Sequence, residues 1–85
     1  MSRYQKFINK ILSGTSDNNI EFAKLCLLLE QLGFFKRTRG SHNIFRKEGI
    51  DEKPNLQADG NKAKPYQVRQ VRNLIIKNQL GDIDE

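Results

Sequence analysis

The sequence predicts an α+β fold: a two-layer α-β-β-β-α domain with an additional N-terminal helix. Three observations carry this expectation. Apolar residues recur at helical spacing in three separate stretches. Between the second and third stretch lie short runs of aromatic and branched residues joined through a glycine. The whole chain is 85 residues with 36% apolar composition, enough for one small core with limited stability.

In the first stretch, Tyr4, Phe7, Ile8, Ile11 and Leu12 stand at i, i+3, i+4, i+7 and i+8, one stripe of an amphipathic helix. Residues 1–13 are read as an additional helix whose stripe either docks on the domain's own core or forms a partner surface. The turn formers of residues 13–19 make a connection. The body of the domain is expected at residues 20–80. Its first helix carries Phe22, Leu25, Cys26, Leu28, Leu29 and Leu32 inward and stops at Gly33, because glycine takes a left-handed cap at little steric cost.

Two strands follow, at residues 34–38 and 42–47, joined through Arg39-Gly40-Ser41. Phe34 and Phe35 are adjacent, so a strand sends them to opposite faces; one of the two lies away from the helices. Phe45 is expected in the core. A third strand is placed at residues 55–58 after Pro54, which cannot donate to a ladder. Residues 59–64 are read as a loop. The last helix opens at Pro65, buries Val68, Val71, Leu74 and Ile75, and closes at Gly81. Residues 81–85 read as an acidic tail. The resulting order is the layout of the double-stranded-RNA-binding domain.

Charge narrows the function classes. The net formal charge is +5 and the sequence pI about 9.6, which favours polyanionic partners. The excess is local: residues 34–49 hold five basic side chains against one acidic, and residues 66–80 hold three against none. One cysteine excludes an intramolecular disulfide, and one cysteine with one histidine and no CxxC leaves no zinc site. No cofactor is expected. No segment approaches a membrane span and no signal-peptide core stands at the N-terminus, so a cytoplasmic protein without membrane partners is expected.

The only histidine, His42, lies in "KRTRGSHNIFRK". Metal-free RNA cleavage needs a nucleophilic ribose 2′-OH, a protonated leaving oxygen and neutralisation of the phosphorane charge. An imidazole, with a free pKa near 6.5, exchanges protons at neutral pH. Arg37, Arg39 and Arg46 can meet phosphate charge, Gly40 can let a phosphate approach the backbone, and Ser41 adds a hydroxyl donor. On chemistry alone, a lone histidine in a basic loop equally fits an ordinary surface residue. Arg69 and Arg72, three apart on one helical face, can track a phosphate backbone together with Lys62 and Lys64, or simply solvate the helix.

The stretch "LLLEQLGFFKRTRGSHNIFRKEG" resembles the signature region of the HicA family of bacterial toxins, also called YcfA-like proteins. The matching features are Leu32-Gly33-Phe34, the basic run Lys36 to Arg39, Gly40-Ser41-His42, and Ile44-Phe45. The later stretch "NLQADGNKAKPYQVRQVRNLI" is similar to a longer branch of that family, through Asn55-Leu56-Gln57 and Lys64-Pro65-Tyr66-Gln67. The resemblance spans roughly residues 20–80. It implies an mRNA endoribonuclease of the mRNA-interferase type, with His42 as catalytic residue and a HicB-like antitoxin as neutralising partner. Many relatives carry a second histidine where this chain has Asn43, and compact relatives begin near Phe22, without the first helix.

The rival class is a non-catalytic RNA-binding module on the same fold. A DNA-binding regulator is disfavoured, because strand signals follow Gly33 where a helix-turn-helix needs a second helix. Cleavage preference and homo-oligomerisation are not legible in the sequence.

Overall fold

The computed structural model describes residues 3–81. Helix α1 covers Arg3–Ser13 and helix α2 covers Phe22–Gln31. Strands β1 (Phe35–Arg39), β2 (His42–Arg46) and β3 (Asn55–Leu56) form an antiparallel sheet in the order β1-β2-β3. Strands β4 (Ala58–Asp59) and β5 (Lys62–Ala63) form a separate hairpin, and helix α3 spans Pro65–Lys77. The chain is therefore a small mixed α+β domain of helices and antiparallel strands.

One apolar cluster joins all the layers. It takes Ile8 and Ile11 from α1, Leu25, Cys26, Leu28 and Leu29 from α2, Phe45 and Leu56 from the sheet, and Val68, Val71, Leu74 and Ile75 from α3. Alternation along β2 explains the sheet's contribution: Phe45 is fully buried while its neighbour Arg46 is exposed. The stripe of α1 thus docks on the chain's own core. Burial of the Cys26 thiol pushes its pKa up.

Helix α2 ends in a Schellman motif. Gly33 takes φ +99°, its N–H donates to the Glu30 carbonyl, and the Phe34 N–H donates to the Leu29 carbonyl at 3.0 Å. Phe34 is spent on this cap and on the core, so β1 starts at Phe35, one residue later than the sequence suggests. Lys47 from beyond β2 closes the same helix end, donating to the Leu32 carbonyl at 2.6 Å.

Three sequence expectations need correction. Residues 59–64 are not a plain loop: Asp59 pairs with Lys62 across the two-residue link Gly60-Asn61, with Gly60 at φ +62°. A glycine with positive φ at the first link position is the signature of a type II′ hairpin turn. The third strand stops at Leu56 because Gln57 leaves the ladder for another partner, described below. The last helix ends at Lys77, short of Gly81, and the left-handed position of its cap is taken by Gln79 at φ +56°. The Gln79 and Leu80 N–H groups donate back to the Ile76 and Ile75 carbonyls. The charged residues of the expected acidic tail lie outside the described residues.

Candidate nucleic-acid interface

The β1–β2 turn is built like the β4–β5 turn. Arg39 pairs with His42 across Gly40-Ser41, and Gly40 takes φ +57°. A Cβ at Gly40 would meet nothing within 4 Å, so the backbone angle, not crowding, is what asks for glycine there. The tight turn fixes the register of both strands and with it the face of every side chain.

That register sorts the basic segment. Phe45 faces the core, so its partner Lys36 and the pair Thr38 and Asn43 belong to the helix-side rows. Phe35 with Arg46, Arg37 with Ile44, and Arg39 with His42 fall on the opposite, open face. Asn55 pairs with Ile44 and joins that face. Three arginines, the histidine and an exposed aromatic ring therefore share one surface. Phe35 is 81% exposed, against 4% for Phe34.

His42 is held by its neighbour on β3. Its Nδ1 lies 3.2 Å from Asn55 Oδ1. A carbonyl oxygen can only accept, so with that oxygen facing the ring Nδ1 carries the hydrogen. In the neutral ring Nε2 then keeps an open lone pair, with no hydrogen-bond partner among the described residues. Ser41 is held as well: Gln57 Nε2 donates to Ser41 Oγ at 2.8 Å, which leaves the hydroxyl hydrogen to point elsewhere.

Gln57 itself is fixed from inside the fold. Gln67 is 1% exposed, and its amide nitrogen donates to the Gln57 carbonyl at 3.0 Å while its oxygen accepts from the Gln57 N–H at 2.9 Å. The amide orientation is assigned from this pairing. This double bond satisfies a buried polar side chain and draws Gln57 out of the β3 ladder. It also connects helix α3 through Gln57 to the residue before His42. The sequence held a signal for it: Gln67, Val71, Leu74 and Ile75 stand at i, i+4, i+7 and i+8, so a polar group sat on an apolar stripe. Asn55 gave no such signal, because its role depends on cross-strand register.

Asn43 faces away from His42. It accepts from Thr38 Oγ1 at 3.1 Å and donates to the Leu56 carbonyl at 3.3 Å, bracing three strands. Glu48 lies beyond the far end of β2 from His42, beside Phe35 and Arg46.

The other expected phosphate contacts are not gathered on this face. Lys64 occupies the N-cap position of α3 without a side-chain capping bond, and Arg69 is exposed on that helix. Lys62 donates to Asn19 Oδ1 at 2.8 Å and lines a separate basic groove with Arg3, Lys6, Lys10 and Lys24. Arg72 is committed within the fold. Its guanidinium bonds both Asp17 carboxylate oxygens, at 2.9 and 3.2 Å, and the Ile11 carbonyl at the end of α1, at 3.2 Å. It is therefore not aligned with Arg69 as a phosphate contact, and its side chain is only 17% exposed.

No family model, no curated protein and no solved structure matches this chain. No helix among the described residues is long and apolar enough to cross a membrane.

Proposed function

We propose that the open sheet face is the active surface of a HicA-like endoribonuclease on a dsRBD-like fold, cleaving mRNA without a metal and neutralised by an acidic HicB-like antitoxin. The single observation that supports this most is the hydrogen bond from His42 Nδ1 to Asn55, which leaves Nε2 as a proton acceptor on a surface carrying Arg37, Arg39 and Arg46. In this reading Nε2 takes the proton of a ribose 2′-OH as that oxygen bonds to phosphorus. The bond from phosphorus to O5′ breaks, and solvent, which reaches this exposed site, supplies the proton to O5′. The products are a 2′,3′-cyclic phosphate and a 5′-hydroxyl. Arg39, cross-strand from His42, and the Ser41 hydroxyl meet the charge that develops on the phosphoryl oxygens.

The test uses an RNA transcript and its 2′-O-methylated copy. The wild-type chain cuts the first in excess EDTA and leaves the second whole. His42→Ala slows cleavage by about 10²–10⁴-fold, with circular dichroism and RNA affinity nearly unchanged. A folded His42→Ala chain that cuts at the wild-type rate removes His42 from the mechanism. If RNA is bound on this face but never cut by the wild-type chain, the RNA-binding module is the better reading.

A further inference from the structure

The open face does not end at His42. Phe35, at the far end of β1, presents a bare aromatic ring, 81% exposed, cross-strand from Arg46. Beside it, at the end of the sheet, lies a groove of about 600 Å³ whose lining includes Phe35, Arg37, Arg46, Glu48, Ile50 and Lys53. With Lys36 and Lys47, which also border it, five lining residues are cations and one is a carboxylate, so the groove suits an anionic occupant. Its apolar lining comes from the Phe35 ring and from Ile50, which packs against the core from the loop after β2.

We infer that this groove is a nucleobase subsite, in which the Phe35 ring stacks one base of an RNA strand while Arg37 and Arg46 hold the phosphates on either side. The inference rests on the reading of the sheet face as an RNA surface and adds where the strand runs. Exposing a phenylalanine to water is unfavourable, and a base has a π-face that can cover it whatever its sequence. Phe35 is four residues along β1 from Arg39, which stands opposite His42. At about 3.4 Å per residue the separation is about 14 Å. A stacked strand advances about 3.4 Å per nucleotide and an extended one further, so the base on Phe35 is about two to four nucleotides from the phosphate at His42. That placement makes Phe35 a binding residue that aligns the strand without touching the reacting atoms. The same ring could instead anchor an apolar side chain of a protein partner, and the experiment separates the two.

The probe is a single-stranded oligoribonucleotide with 2-aminopurine moved one position at a time, bound to the His42→Ala chain so that it stays intact. Stacking on Phe35 quenches the fluorophore at one register relative to the others. Adding Phe35→Ala abolishes that quenching and weakens affinity roughly 5- to 150-fold. Phe35→Tyr restores both, and Phe35→Leu, apolar without a ring, restores neither. Because Phe35 lies outside the core, these variants keep the wild-type circular dichroism. Unchanged affinity in Phe35→Ala overturns the subsite while leaving the His42 mechanism standing. Loss of a copurifying partner with unchanged RNA affinity overturns it too, in favour of protein docking. If instead cleavage proves independent of His42 while Phe35→Ala still loses the quenching, the mechanism fails and the subsite survives. A wild-type chain that binds no single-stranded RNA at low salt sinks both.

Discussion

At His42 a single hydrogen bond engages Nδ1 and leaves Nε2 without a partner among the described residues. The Asn55 oxygen holds the hydrogen on Nδ1 and frees Nε2. In the proposed mechanism Asn55 positions the ring, and its substitution separates orientation from chemistry. Asn55→Ala removes a hydrogen bond worth about 1 kcal/mol, so the rate constant for cleavage falls about fivefold while KM stays near the wild-type value. Asn55→Asp places a carboxylate beside the ring, favours the imidazolium and raises its pKa. If the neutral ring is the base, the acidic limb of the pH–rate profile moves to higher pH. Measured profiles that coincide for wild type and Asn55→Asp would show that Asn55 does not act on the reacting imidazole.

Among elements, α1 is joined to the rest of the domain by buried apolar residues and by one arginine. Arg72 reaches from α3 to the last turn of α1 and to Asp17 in the connection that follows. A cation at a helix C-terminus also opposes the partial negative charge of the unpaired carbonyls. Arg72→Ala leaves Asp17 and the Ile11 carbonyl without this donor. With both charged side chains largely buried, the expected loss is about 2 kcal/mol in urea or thermal unfolding. RNA affinity should change little, which distinguishes it from Arg37→Ala on the sheet face.

A second contact between elements is pH-sensitive. Lys77 at the end of α3 donates to Glu52 at 2.7 Å, and Asn78 donates to the other carboxylate oxygen at 3.1 Å. These bonds pull the Glu52 carboxyl down to about 2, from an ordinary value of 4.5. The same pairing pushes Lys77 up. A carboxyl depressed on folding stabilises the native state above its unfolded pKa, and that stability is lost as pH falls through the folded one. Wild type should therefore lose stability between about pH 4.5 and 2. Acid titration followed by circular dichroism should show a shallower loss in Glu52→Gln over that window; identical curves would mean that the contact adds nothing in solution.

For the whole molecule, positive charge is concentrated on two surfaces. One is the sheet face with Arg37, Arg39 and Arg46; the other is the groove of Arg3, Lys6, Lys10, Lys24 and Lys62. RNA affinity should fall steeply with salt, with a log–log slope of roughly −0.7 per phosphate neutralised on a single strand. Replacing Arg37 and Arg39 together should reduce that slope by about 1.4. A slope untouched by the pair would place the phosphate path elsewhere, with the α1 groove as the next surface to test. An acidic partner occupying the sheet face should compete with RNA and protect His42 from diethyl pyrocarbonate.

The helices were legible in the sequence because their information is local. The stripes of α1, α2 and α3 follow from the 3.6-residue period, and Gly33 marks its cap because only a residue without a Cβ takes φ +99° freely. The basic segment and its histidine could be read as a unit for the same reason. The hairpin at residues 58–63 is also local, but the loop-like composition around Gly60-Asn61 masks its turn.

The rest was decided by tertiary structure, because it depends on groups far apart in the chain. Register assigned Phe35 and the three arginines to one face and Phe34 to the core, since a slip of one residue would have exchanged them. Packing of α1 against α3 took Arg72 from the polar face it seemed free to use and bound it to Asp17, 55 residues away. Likewise, the tautomer of His42 depends on Asn55, 13 residues along, and the residue before it on Gln57, itself held by the buried amide of Gln67. Sequence periodicity fixes which side of an element meets the core. Which distant polar group satisfies which depends on the desolvation cost of leaving any of them unpaired once that core has formed.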